Sequence, residues 1–220
     1  MPTREVYARS RRRLLDLAAG LDEVTAARDL PALPGWSVKD AYAHLAGVCA
    51  DVLDGRQGLP LADWGERTVA ERRERSLADV VAEWATRGPD LDERLDGDGS
   101  FRLGVDVWSH EHDIRGALHL PAPTPTETAW VVDQVLGNLG RSWPGSDAPS
   151  VRLTVTDGDE HVLGAGEPAV ALRCDAFTLG RLLMGRRSRR QVASLDWSGD
   201  PRPVLDRLFV FGPADENVDY

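Results

Sequence analysis

Cysteine is scarce in this chain: Cys49 and Cys174 are its only two among 220 residues. Two thiols cannot form the disulfide framework of a small secreted domain, and both sit in apolar stretches expected to be regular structure. They read as buried free thiols of a reducing compartment. Long apolar runs are missing too. No stretch approaches the roughly 18 apolar residues that a spanning helix needs. The N-terminal MPTREVYARSRRRLL has basic residues with no apolar segment behind them, which argues against a signal peptide. We therefore expect a cytoplasmic protein with no membrane partner. Positive charge is the third shortage: 26 Lys and Arg stand against 36 Asp and Glu, a formal net charge of −10. Gripping a phosphate backbone requires a basic face, so nucleic acid is not an expected partner. A small-molecule site needs only local chemistry and is untouched by this balance.

What is present suits a folded protein. A hydrophobic fraction of 42% with 28% charged residues is enough to build a core without covalent staples. The length fits one large or two small domains. The hydrophobic period changes near residue 150. Before it, apolar residues recur at helical spacing. Helices are expected from about Thr3 to Leu21, and from Ser37, capped with Asp40, to a stop at Gly55. Residues 55–67 read as a loop, and Thr68 and Ser76 as helix starts. A break is expected at 96–100, then a helix over RLGVDVWSHEHDIRGALHL stopped by Pro121, Pro123 and Pro125, and a last helix over about Thr126 to Leu139. After Pro149 the pattern alternates: Val151, Leu153 and Val155, then Asp157-Gly158, then His161 to Leu163 predict a β-hairpin. PAVALRC reads as a third strand, AFTLGRLLMG as a helix ended at Gly185, SLDWSG as a further strand and PVLDRLFVFG as a final helix. The fold class is α+β: a helical bundle over 1–145, followed by a small α+β domain over 146–220.

The chemistry concentrates on two helices. On the helix after Arg102, Leu103, Val107, Ile114, Ala117 and Leu118 share one face at about 100° per residue, and His110 lies in the middle of it. Asp106 and Asp113 flank His110 at i−4 and i+3, where side chains of a helix meet. Carboxylates and an imidazole beside a core face are costly unless something satisfies them. On the helix after Ser37, His44 sits at the edge of the apolar arc and can reach a neighbouring helix. His44, Asp106 and His110 converging would give two nitrogens and one oxygen, the ligand set of a catalytic zinc-type site with one position open. A lone histidine on such a face is more often a hydrogen-bonded boundary residue, and Glu111 rivals Asp106 as third ligand. His112 reads as solvent-facing, His119 as a helix-end residue, Trp36 and Trp197 as packing residues, and Cys49 as core. The run Arg186, Arg187, Arg189, Arg190 reads either as a solvated basic patch or as a carboxylate-binding site, with Arg187 and Arg190 as the binding candidates.

Three segments carry a family resemblance. PGWSVKDAYAHLAG is similar to the second helix of DinB-like proteins, with its G-W-S-x-x-D-x-x-x-H-L pattern. DVWSHEHDIRGAL resembles the later helix of the same group, and GRRSRRQVASLDWSGDP resembles the C-terminal domain of its mycothiol-dependent maleylpyruvate isomerase branch. The resemblance spans nearly the whole chain in order. It implies a DinB-like four-helix bundle holding a divalent metal, usually zinc, through two His and one Glu. Here His44 and His110 take the histidine positions and Asp106 stands where the family has Glu, a departure by one methylene. Asp113 matches an acid that orients the histidine or faces the substrate. The implied activity uses mycothiol as thiol cosubstrate: a metal-activated thiolate adds to an electrophilic small molecule, giving isomerisation or S-transfer. Two alternatives use the same bundle: a metal-dependent hydrolase that activates water, and a non-catalytic binding or stress protein. Monomer and homodimer are both open.

Overall fold

The computed structural model describes residues 1–57, 61–95, 100–122, 125–145 and 147–220. Residues 58–60 of the expected loop, 96–99 of the expected break, and Pro123 lie outside them. Contacts divide the chain into two compact units, Met1–Ala122 with Tyr220, and Pro123–Asp219. Among the described residues no helix is long and apolar enough to cross a membrane.

The first unit contains α1 (Thr3–Ala18), α2 (Glu23–Ala26), α3 (Val38–Asp54), α4 (Leu61–Ala70), α5 (Leu77–Arg94) and α6 (Phe101–Ala117). The long helices close a ring, because α1 packs on α5 and α6 and α3 packs on the same two; α4 lies along α3. Leu14, Tyr42, Leu45, Cys49, Val80, Trp84, Leu91, Val107 and Ile114 fill the space between them. The helix ends follow local chemistry. The Ser37 oxygen accepts from the Asp40 N–H while the Asp40 carboxylate accepts from the Ser37 N–H, and Gly55 closes α3 in the left-handed conformation at φ 71°. Ser76 caps α5 by accepting from the Asp79 N–H.

Two expectations fail at α4. Residues 55–67 are not all loop, and Thr68 is not a helix start, because α4 runs from Leu61 to Ala70. The cause is tertiary. Buried Asp51 on α3 accepts from Trp64 Nε1 at 2.6 Å and from Arg67, with Arg56 at 2.6 Å on its other oxygen. A segment whose own composition reads as loop is thereby held in helical register. The two helices can approach because Gly47 has no side chain: a Cβ there would lie 2.5 Å from Thr68 Cβ and 2.8 Å from Arg72 Nη1.

The second unit contains α7 (Pro125–Ser142), a 3₁₀ turn (Trp143–Gly145), β1 (Val151–Val155), β2 (Glu160–Leu163), β3 (Val170–Cys174), α8 (Ala176–Leu183), α9 (Arg189–Ala193), β4 (Asp196–Ser198) and α10 (Arg202–Leu205). The sheet order is β2-β1-β3-β4. The expected hairpin forms, with Val151 opposite Leu163. The third strand joins β1 in parallel, Val151 opposite Val170. α7 packs on α8 and β2, so this unit begins earlier in the chain than the change of period near 150. The final helix is shorter than expected: after Leu205 the chain turns, and the Val210 N–H donates to Leu183 O at 2.8 Å.

The contact at Gly47 can be tested. Gly47→Ala forces a methyl group into Thr68 and Arg72 and should destabilise the protein by about 1–3 kcal/mol. Urea denaturation reads this as a lower midpoint at unchanged slope; wild-type stability would show that the helices are not in van der Waals contact there.

Candidate metal centre

The second turn of α3 carries His44, and α6 carries Asp106 and His110 one turn apart. Packing of α3 on α6 brings the three together: one ligand atom from each lies within 4.8 Å of the others. His44 Nε2 is 3.5 Å from an Asp106 oxygen, and His110 Nε2 is 3.4 Å from Asp106 Oδ1. The imidazoles meet edge to face, with ring centroids 4.8 Å apart. Both are buried, whereas the Asp106 side chain keeps 31% exposure, so the cluster is open to solvent on its carboxylate side.

The outer nitrogens have polar neighbours as well. His110 Nδ1 is 3.4 Å from Oδ2 of fully buried Asp113. His44 Nδ1 lies 3.1 Å from the Thr68 hydroxyl oxygen, and that hydroxyl donates to Gly65 O at 2.8 Å. Trp36 covers one side. Its ring is nearly parallel to that of His110, 18° apart at 5.9 Å, and 5.2 Å from that of His44. Its Nε1–H donates to Glu66 at 3.1 Å. Trp36 is thus a packing residue, as expected, but what it packs on is the pair of imidazoles.

Magnitudes test whether these residues suit a metal. Charge-assisted N–H···O bonds run at about 2.7–2.9 Å, so separations of 3.4 and 3.5 Å are long for hydrogen bonds that hold the cluster by themselves. Ligand atoms about 2.0–2.1 Å from one tetrahedral ion sit roughly 3.3–3.4 Å apart. Both nitrogen–oxygen edges come close to that distance. The electrostatics agree. Burial acts to raise the Asp106 carboxyl, but His44 and His110 beside it outweigh burial and hold it below the usual carboxylate range. Burial acts to lower His110, but Asp106 and Asp113 outweigh that and raise it. The donor set fits a divalent ion held by His44, Asp106 and His110.

The other candidates lie elsewhere. Glu111, the rival ligand, is fully buried in an ion pair: Arg13 donates to its two oxygens at 2.8 and 2.7 Å, and Arg115 to one at 3.0 Å. His112 is not solvent-facing. It is buried against Trp108, with ring centroids 4.5 Å apart, because α6 is covered on nearly every side from Gly104 to Gly116. His119 follows α6 in the left-handed conformation, φ 56°. In the second unit, Arg187 is half-buried and donates to Arg186 O and Val218 O, Arg190 is exposed, and Arg189 pairs with Asp206. Thr68 carries no signal in the sequence as a partner of the site. It is 24 residues from His44, and no periodicity links the two.

No protein-family model and no curated sequence matches this chain. Two solved structures of the mycothiol-dependent maleylpyruvate isomerase match its fold. One, a histidine-to-alanine variant, aligns with a TM-score of 0.56 at 12% identity over 91% of this chain and 94% of its own. The other aligns with a TM-score of 0.53 at 12% identity, covering 84% and 88%. At that identity the likeness is one of fold: this chain shares the α+β architecture of those enzymes.

The cysteines take no part in the cluster. Cys49 is buried and Cys174 half-buried. Burial pushes the Cys49 thiol up to about 11 and that of Cys174 up to about 12, so neither is a thiolate near neutrality. Near neutral pH an aromatic disulfide reagent should leave both unmodified in the native protein and titrate both after denaturation. A fast native reaction would show that one of them is accessible and ionised.

Proposed function

We propose that this chain is a mycothiol-dependent metalloenzyme, a thiol S-transferase or a maleylpyruvate-isomerase-like enzyme, acting on an electrophilic small molecule. The observation that carries this reading is the convergence of His44, Asp106 and His110 within 4.8 Å, with both nitrogen–oxygen separations close to those around one ion. Its occurrence in the fold of a mycothiol-dependent isomerase supports it. Two imidazoles and a carboxylate with one side open form the donor set of a catalytic zinc site, so zinc is the ion we assign. When bound, such an ion lowers the pKa of an incoming thiol and makes a thiolate available at neutral pH.

The chain's own residues do the rest. His44 Nε2, His110 Nε2 and the Asp106 carboxylate face one another and would hold the ion. Asp113 faces His110 Nδ1 and keeps the opposite nitrogen turned inward. Trp36 closes one side of the cluster, which leaves the approach past Asp106. Within the second unit, Arg190 and Arg187 are the guanidiniums we assign to a carboxylate ligand.

Elemental analysis tests the reading. Purified wild-type protein should hold about one divalent ion per chain, and His110→Ala and Asp106→Ala should bind it more than about 100-fold more weakly, since loss of an outer partner alone costs roughly 10–100-fold. Turnover of an electrophile such as maleylpyruvate should then require mycothiol. Turnover with water alone would replace the reading with metal-dependent hydrolysis, and wild-type protein that binds no ion after reconstitution would overturn it.

A further inference from the structure

We propose that Thr68 is a positioning residue: its side-chain oxygen accepts the Nδ1–H of His44, so that Nε2, the nitrogen facing Asp106, is the one left to give to an ion. The hydrogen-bond assignment stands on the geometry alone; its consequence for metal binding rests on the function proposed above.

A threonine hydroxyl has one proton to give and otherwise only lone pairs. Here that proton goes to Gly65 O at 2.8 Å, a bond back to the preceding turn of α4. The oxygen can therefore only accept from its second neighbour, His44 Nδ1 at 3.1 Å. A neutral imidazole carries one N–H. Nε2 faces the Asp106 carboxylate at 3.5 Å, a group that only accepts, so its lone pair is the one that becomes available when an ion takes the place of that contact while the Nδ1–H stays on Thr68. In the opposite tautomer, Nδ1 and the Thr68 oxygen would face each other with lone pairs, or Thr68 would have to abandon Gly65.

Thr68 is poorly placed to move. It is fully buried, and its Cβ lies 2.5 Å from the point where a side chain on Gly47 would begin. Its carbonyl accepts from Arg72 Nη1 at 3.2 Å, and Arg72 is in turn clamped to Glu83 at 3.0 and 2.6 Å. The hydroxyl is thus held by the packing of α4 on α3, with no need of an ion. The two histidines face different partners: the carboxylate of Asp113 for His110, and a neutral hydroxyl for His44.

Thr68→Val keeps the shape and deletes the acceptor; Thr68→Ser keeps the acceptor. Two readouts separate positioning from packing. Long-range nitrogen–proton NMR spectra of metal-free Asp106→Ala protein, in which no carboxylate competes for the hydrogen, at a pH where the imidazoles are neutral, should place the His44 hydrogen on Nδ1 with Thr68 or Thr68→Ser, and move it toward Nε2 with Thr68→Val. Competition for zinc against a chromophoric chelator should show Thr68→Val about 10–100-fold weaker, with Thr68→Ser near wild type. A His44 hydrogen on Nε2 in the Asp106→Ala protein that keeps Thr68 overturns the proposal. So does Thr68→Val with unchanged tautomer and affinity, or Thr68→Ser as impaired as Thr68→Val. A hydrogen on Nδ1 in the Asp106→Ala protein, together with wild-type protein that binds no zinc, supports the hydrogen bond and overturns the metalloenzyme reading instead.

Discussion

Two imidazole rings cannot be kept 4.8 Å apart beside a carboxylate unless their helices are fixed against each other: α3 and α6 pack directly, and α1, which supplies neither side chain, adds polar ties to both. Tyr42 of α3 donates its hydroxyl to Leu14 O on α1 at 2.8 Å. Arg13 of α1 grips Glu111 of α6 through both carboxylate oxygens. Arg11 reaches Asp92 of α5 at 2.6 Å, crossing so close to Gly88 that a Cβ there would lie 2.6 Å from its Cδ. Buried ion pairs add little net stability, because desolvation offsets their attraction. Their contribution here is register. Each has one good geometry, and together they set the rotation of α3 and α6 that turns His44 and His110 toward each other.

Much of this is legible in the sequence, and the illegible part has a common cause. His44, Asp106 and His110 stand out because helical spacing alone places the latter two on one face and His44 at the border of another. The capping box at Ser37 and the stop at Gly55 are local chemistry and can be read directly. Glu111 against Asp106 cannot be decided from α6, since a long side chain one position from His110 can bend either way; in the fold Arg13, from a different helix, engages both Glu111 oxygens. His112 misleads for a related reason. A helix in a bundle is expected to show one face to water, but α6 is buried nearly all round, and its polar residues are accommodated by ion pairs and ring contacts. The same holds for α4, where Gly, Pro and charge suggest a loop until Asp51 supplies its anchor. Each failure is a tertiary partner outweighing a local pattern.

If His44, Asp106 and His110 hold an ion as proposed, the Asp that stands where the resemblance implies Glu bears on how such a centre would be built. An Asp carboxylate reaches less far from its helix by one methylene, so a ligand set using it needs α3 and α6 closer or more finely rotated. The side-chain geometry meets that need: the two histidine Nε2 atoms lie 3.5 and 3.4 Å from Asp106, with Trp36 laid over the rings from outside. A shorter ligand also has fewer rotatable bonds with which to absorb a misplaced partner. The burden of precision then moves outward, to the groups that aim the imidazoles. Asp113 and Thr68 occupy those positions, one on α6 itself and one on a helix that can approach only because position 47 is glycine. On this reading the small residues of α3 and the polar residue of α4 are as much part of the centre as its three ligands, since they determine where a histidine lone pair points.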